Sequence, residues 1–450
     1  MAGAQAVAIA EPAKRVQVAV RSPRILSTLY WPKRASWMSR VDVVNRTELS
    51  TAAVLRRLVA SRGRYDAVVL DGATGGAVRL TDLGAAMLLA RRARGPAVVI
   101  TDATWGEGVG LLDRAGCRMG LRAFDSPRVT YCVLSSDEAR LFPRTWGIPA
   151  QRVAFTPFYF TLTDEDLALR TSTEGGVFAG GDSLRDYGPL IEAARGLDVP
   201  VTLATRSVNL SQLPSNVRAG WLTRDAYVEA MCNAAVVVVA LAPTRERSAG
   251  QQNYLNAMAL GKLVVVPDVL GVRDYVEHGR TGILVPPGDA HALRAVLRWA
   301  LDPSRRAKVR DIGGRAREVV RARFGPDQYV ANVLAVVEKA VTATPSSCDS
   351  AAPPSGRMDD RHLALCPSPH EPASLELAPS VRHSGAHGKR GAYQSTSTLT
   401  PTDAAASRIC SHVARSTRIP FALRCARAMF SGSPATSTGS AGSTGGDAFT

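Results

Sequence analysis

The sequence predicts an α/β protein of two parallel-sheet domains, each with helices on both faces of its sheet, followed by a low-complexity tail. Three observations carry this expectation. Between residues 16 and about 160, short apolar runs alternate with helical patterns, and such alternation argues for a parallel sheet covered on both faces. From Val177 to Asp289 the alternation starts again with its own glycine turns. From about residue 343 it stops: TATPSSCDSAAPPSG and SGSPATSTGSAGSTGG hold no sustained period, and such segments cannot bury enough apolar surface to offset their ordering entropy.

In the first domain, Val16 to Val20 reads as the opening strand, Ala52 to Ala60 as a helix, and Ala67 to Leu70 as a strand ending at Asp71. Leu83 to Arg92 reads as a helix and Ala97 to Ile100 as a strand ending at Asp102. Val129 to Leu134 is the next strand. After it, Ser135 or Ser136 caps a helix with Asp137 and Glu138 in its first turn. A further strand leads to a hinge. In the second domain a strand at Val177 to Ala179 runs into the turn Gly180, Gly181 and a helix containing LIEA. Leu255, Met258, Ala259 and Leu260 recur at helical spacing, Gly261 supplies the stop, and Leu263 to Val266 suits a parallel strand buried on both sides. Asp268 to Gly271 is then a turn at the strand's carboxyl end, the usual ligand side of an open α/β sheet. The boundaries that follow are 1–15 for a flexible N-terminus, 16–165 and 172–320 for the two domains, 321–342 for a C-terminal helix, and 343–450 for the tail.

The stretch SAGQQNYLNAMALGKLVVVPDVLGVRDYVEHGRTGILVPPGD, Ser248 to Asp289, resembles the donor-binding half of the retaining glycosyltransferases of family 4, glycosyl transferases group 1. Their fold, GT-B, has two Rossmann-like domains facing across a cleft. VFAGGDSLRDYGPLIEAAR and NVRAGWLTRDAYVEAMCNAAVVVVALAPT resemble that family's glycine turn with its following helix, and its base-binding turn with core strands. The resemblance implies transfer of a sugar from a nucleoside diphosphate sugar to a hydroxyl of a lipid or saccharide acceptor, without metal or cofactor. It also implies a front-face mechanism in which the departing diphosphate takes the acceptor proton. In GT-B proteins the terminal helix packs back on the first domain. The family carries two glutamates eight positions apart; Ser248 and Asn256 stand at those positions here. Both replacements keep hydrogen-bonding capacity and remove negative charge.

Carried over residue by residue, the resemblance places Ser248 and Asn256 at the reacting end, while Asp102, at the carboxyl end of a strand, is set to orient an acceptor hydroxyl. Gly180, Gly181, Arg185, Ala249, Gly250, Gln251, Gln252 and Asn256 then hold the donor, and Arg206 and Arg245, on loops at the same expected edge, are set to approach its phosphate. Arg185 takes the place of a phosphate-binding lysine, the helix start at Ala249 to Gln251 suits a diphosphate, and Asn256 is set for the ribose. Each has a plainer reading. Arg185 competes with an arginine capping its own helix, Asn256 with a polar helix residue bonded to a neighbouring loop, Ser248 with a simple cap, and Asp102 with a strand-end cap.

Seven cysteines without a CxxC pair indicate neither a zinc site nor a disulfide framework. None of the seven histidines lies before position 278. That excludes a histidine base or metal ligand from the first 277 residues, and makes an inverting enzyme, a Ser-His-Asp hydrolase or a metallohydrolase harder to build. The longest apolar run, Ala234 to Leu241, is too short to cross a bilayer, and the N-terminus lacks a signal-peptide pattern, so the chain reads as cytoplasmic. Residues 1–160 hold 23 Lys plus Arg against 12 Asp plus Glu, a surplus suited to anionic lipid or a phosphate-bearing acceptor. YWPKRASWMSR, Tyr30 to Arg40, mixes two tryptophans, Met38 and three cations. It reads either as a peripheral contact with the inner membrane face or as a first helix with Trp31, Trp37 and Met38 in its core. No nucleic-acid motif accompanies the basic charge. Two other readings stand beside the transferase: a catalytically silent module that binds nucleotide or a partner, and a nucleotide-sugar epimerase poorly supplied with acid/base groups.

Overall fold

In a computed structural model of the chain, the structure describes residues 22–343, apart from 30–33, 45–50, 61–62, 73–88, 90–94, 107–113, 116–117, 120, 123–124 and 246. The strand expected at Val16 to Val20, most of the helix expected at Leu83 to Arg92, and the tail from 344 lie outside the described residues.

The first sheet contains β1 (Ile25–Ser27), β2 (Val41–Val43), β3 (Ala67–Asp71), β4 (Ala97–Thr101), β5 (Val129–Val133) and β6 (Val153–Phe155), all parallel in the order β2-β1-β3-β4-β5-β6. Its described helices are α1 (Ala35–Met38), α2 (Thr51–Ala60) and α3 (Ser136–Trp146). A short α4 (Asp164–Leu167) lies in the crossover to the second sheet. That sheet contains β7 (Val177–Gly180), β8 (Val201–Ala204), β9 (Val217–Gly220), β10 (Val236–Val238), β11 (Leu263–Pro267) and β12 (Ile283–Val285), again all parallel, in the order β12-β11-β10-β7-β8-β9. The helices are α5 (Gly188–Ala194), α6 (Arg224–Asn233), α7 (Gln251–Ala259), α8 (Ala290–Leu301), α9 (Arg306–Arg323) and α10 (Pro326–Ala343).

Both sheets are parallel, as strands joined through crossover helices such as α2, α3, α5, α6 and α7 are, and those helices cover one face or the other. β11 shows the consequence. Its Leu263 and Val265 enter one apolar cluster with α5 and α8, while Val264 and Val266 enter the opposite cluster with α7 and α9. Each such side chain contributes about 1.5 to 3 kcal/mol on burial, so an unbroken apolar run is what a strand covered on both sides requires.

The second sheet reverses direction between β7 and β10. From β7 the chain steps outward through β8 to β9, then returns to the other side of β7 to build β10, β11 and β12. The loops leaving β7 and β10 therefore diverge and leave a crevice at their carboxyl ends.

One element departs from expectation. The single helix at 321–342 is two helices, α9 and α10, separated at Phe324 and Gly325. Pro326 disfavours helical backbone in the residue before it and lacks an N–H, so it starts a helix and cannot continue one. On α10, Tyr329, Val330, Val333, Leu334 and Val337 join Ile25, Trp37, Val69 and Val99 in one buried cluster. Trp37 is fully buried and its indole N–H donates to the Leu29 carbonyl, so it is a core residue, whereas Met38 is exposed. Trp31 and Lys33 lie outside the described residues. Among the described residues no helix is long and apolar enough to cross a membrane.

Candidate functional site

Of the residues singled out from the sequence, the crevice between β7 and β10 brings together Gly180, Gly181, Arg185, Ala249 and Gly250. Gly180 ends β7, and Tyr227 of α6 lies directly on it: a Cβ there would sit 2.4 Å from the tyrosine ring. Gly181 follows with φ +100, a conformation side chains rarely adopt. A Cβ on Gly181 would meet Arg185 Nη2 at 2.9 Å and Asn253 Nδ2 at 3.0 Å. Two cationic or amide donors thus converge on bare backbone.

Arg185 is held in place by its own loop. Its Nε donates to the Gly180 carbonyl at 3.2 Å and its Nη1 to the Ser183 carbonyl at 2.7 Å. Its backbone bridges Leu241 beyond β10, and the flanking bonds Asp186 N–H to Ala240 O and Ala242 N–H to Leu184 O clamp the loop across the crevice. Burial lowers the guanidinium's pKa, against the opposing influence of Tyr187, Tyr227 and Asp182. The group stays cationic at neutral pH. Among the described residues no carboxylate lies within ion-pair distance of it. Tyr187 donates to the Gly181 carbonyl at 2.6 Å, and its hydroxyl pKa is pushed up to about 12, chiefly by burial.

The opposite wall is the start of α7. Gly250 is its N-cap with φ +83, and a Cβ there would lie 2.8 Å from Leu241 Cδ2, so glycine is needed both for conformation and for space. No side chain caps this helix. The first intrahelical bonds come from the Asn253 and Tyr254 N–H groups to the Gly250 carbonyl, which leaves the earlier N–H groups of Ala249 to Gln252 at an open helix start. Asn253 Nδ2 donates to the Gly180 carbonyl at 2.8 Å and ties the two walls together.

Other expected residues stand apart from this crevice. Asn256 is buried and both ends of its amide are engaged by Thr161 of the crossover: Oδ1 accepts from the Thr161 N–H at 2.8 Å and Nδ2 donates to Thr161 Oγ1 at 3.1 Å. Gln252 donates to the same hydroxyl. Ser248 is buried against the first domain, where its N–H donates to Glu138 Oε1 at 2.8 Å and its hydroxyl to Glu138 Oε2 at 2.9 Å. Gln251 in turn donates to the Ser248 hydroxyl. Asp102, with φ +52, accepts from Tyr329 of α10 at 2.8 Å. Arg206 lies over the Trp221 ring at 5.4 Å from its centroid, on the rim beyond β8 and β9. Arg245 is exposed.

Glu138, Tyr227, Asn253 and Trp221 were not anticipated as site residues. Glu138 was visible only as a first-turn acid of α3, and the distance of 110 positions to Ser248 gave no cue. Burial raises its pKa, and hydrogen bonds from Ser248, Ser135 and Leu134 pull it back. Among the described residues no cluster of three metal-ligating side chains occurs.

Comparison with known proteins bears on the fold that holds these residues. Residues 200–302 match the family described as Glycosyl transferases group 1. The Anabaena protein HepE, solved with UDP-glucose, superposes with a TM-score of 0.50 at 15% identity over 71% of this chain and 100% of its own. Sucrose-phosphate synthase from Thermosynechococcus elongatus superposes with a TM-score of 0.50 at 19% identity, over 67% and 81% of the respective chains. The fold is GT-B. Among curated protein sequences none matches this chain. In GT-B terms the crevice at β7 and β10 belongs to the second domain, which the first turn of α3 meets at Ser248, Gly271 and Asp274.

Proposed function

We propose that the protein is a retaining, metal-independent glycosyltransferase that moves a sugar from a nucleoside diphosphate sugar to a hydroxyl of a lipid or saccharide acceptor. One observation carries the reading: a half-buried arginine with no carboxylate at ion-pair distance among the described residues, two glycines that keep the backbone bare, and an uncapped helix start converge at the strand-order reversal of the second sheet. A diphosphate is the ligand whose charge and oxygens such a set complements. Arg185 and the α7 N–H groups supply positive potential where a metal would otherwise be called on. Trp221, 61% exposed and backed by Arg206, offers a stacking face for the base at the rim. With no histidine before position 278, a front-face transfer in which the departing diphosphate takes the acceptor proton is the route that needs no histidine base.

A silent nucleotide-binding module is the second reading, and a specific observation favours it: Ser248 and Asn256 are occupied by Glu138 and Thr161. Turnover separates the two. UDP-glucose, the ligand of the Anabaena neighbour, heads a donor panel with GDP- and ADP-sugars, assayed with and without EDTA. Slow hydrolysis or transfer that EDTA leaves unchanged is expected. Tight nucleotide binding with no turnover selects the module, and EDTA-sensitive activity rules out the metal-free mechanism.

A further inference from the structure

The first turn of α3 is keyed into the second domain by more bonds than a passing contact needs. The Ser136 N–H and hydroxyl donate to Asp274 at 2.8 and 2.7 Å, the Gly271 N–H donates to Asp137 Oδ2 at 2.9 Å, and Tyr275 donates to the Leu134 carbonyl. Gly271 can carry no side chain here, since a Cβ would lie 2.6 Å from Ser135 Cβ and 2.7 Å from Ser248 Cβ. At the centre of this junction is Glu138, 2% exposed.

Glu138 differs from its neighbours in what it touches. Its Oε1 accepts from the Ser248 N–H, and its Oε2 accepts from the Leu134 N–H at 3.0 Å and from the hydroxyls of Ser135 and Ser248. Ser248 opens the loop 248–250 that delivers the chain to α7, and its hydroxyl accepts from Gln251, the first residue of that helix. The path runs from a first-domain carboxylate through Ser248 to the α7 start. Each carboxylate oxygen accepts from a backbone N–H, Oε1 from Ser248 and Oε2 from Leu134. An amide in either orientation would turn its NH2 toward one of the two N–H donors, and an unmade bond at a buried donor is costly.

We infer that Glu138 is a positioning residue of the donor site: a first-domain carboxylate that sets the 248–251 loop so that the α7 N–H groups are aligned for a diphosphate, coupling donor binding to the docking of the two domains. This rests on the reading of the α7 start as the diphosphate end of the donor site. Glu138 does not touch the donor. It acts through Ser248 and Gln251, and its effect falls on the diphosphate and not on the nucleoside.

The experiment uses the full chain and calorimetric titration with UDP, GDP and ADP, then with the nucleoside matching whichever diphosphate binds. Glu138→Gln is expected to weaken the diphosphate at least about tenfold while nucleoside affinity stays within about twofold. Glu138→Asp guards against misfolding. It keeps an ionised acid at the third position of α3, where Ser135 caps the helix, but is one methylene too short to span both donors, and the same selective loss is expected. Diphosphate affinity equal to wild type in a folded variant overturns the inference and leaves the functional reading intact. Equal loss of diphosphate and nucleoside also overturns it, since that is what general damage to the fold would produce. If the wild-type chain binds none of the three diphosphates, the donor-site reading itself falls and this inference with it.

Discussion

Arg185 is a charge on a short loop, and its importance comes from what surrounds it. A charge-assisted hydrogen bond contributes about 1.5 to 3 kcal/mol, so Arg185→Ala should weaken a bound nucleoside diphosphate at least about tenfold. Unchanged calorimetric affinity would remove Arg185 from the site. Trp221 is a second single-residue case. Stacking of a base on an aromatic ring is worth about 1 to 3 kcal/mol; Trp221→Ala should therefore lower affinity for the nucleotide and for the nucleoside alike, in contrast to Arg185→Ala. Equal affinity of the variant and the wild type for the nucleoside would show that the base binds elsewhere.

Lys262 illustrates a buried charge with no role at the crevice. It is 2% exposed and donates to the carbonyls of Ser172, Cys232 and Ala234, binding the crossover to the second domain. Burial lowers its pKa to about 8. Between about 8 and the ordinary lysine value near 10.4 the unfolded chain therefore binds the extra proton, and stability rises with pH across that window. Urea unfolding of wild type and Lys262→Met at pH 7.5 and 9.5 measures this. The wild type should gain stability relative to the variant as pH rises, and a gap that stays constant would show that Lys262 does not titrate there.

Among the helices and strands, the packing of α9 on the end of α7 shows how a glycine decides an approach. A Cβ on Gly313 would lie 2.1 Å from the Gly261 carbonyl oxygen, backbone against backbone. Gly313→Ala must force α9 away from the sheet. Overpacking of this kind costs about 1 to 3 kcal/mol, or about 2 to 4 °C of melting temperature per kcal/mol in domains of this size. A melting temperature equal to wild type would mean that α9 sits farther out. At α7 the element's start matters more than its length: Gly250 is the point where conformation and the Leu241 side chain both forbid a Cβ.

For the molecule as a whole, the C-terminal helix α10 returns to the first domain. Arg34 and Arg40, two of the three cations in the Tyr30 to Arg40 segment, pair with Asp327 and Glu338 of α10 at 3.4 and 3.0 Å. Charges neutralised within the fold are poorly placed to hold an anionic surface. Arg34→Ala combined with Arg40→Ala should thus leave sedimentation with anionic liposomes as in wild type, at a stability cost of at most about 1 kcal/mol per exposed pair. A salt-sensitive loss of sedimentation in the double variant would restore the membrane reading of this segment.

The elements legible in the sequence were those whose cause is local. β3, β4, β5, β7 and β11 stand where their apolar runs are, Ser135 caps α3, and Gly261 with φ +74 ends α7, because alternation, caps and positive φ are written in neighbouring residues. Gly180, Gly181 and Arg185 were likewise readable as a loop after a strand. What the chain's order could not convey was which of these polar residues remain open to a ligand. Asn256 looks the same in sequence whether it meets a ribose or Thr161, and Ser248 the same whether it caps a helix or answers a glutamate 110 positions earlier. Hydrogen-bond capacity belongs to the residue type and can be read from it. How that capacity is used depends on distances between segments far apart in the chain, and those distances exist only once the two sheets have docked.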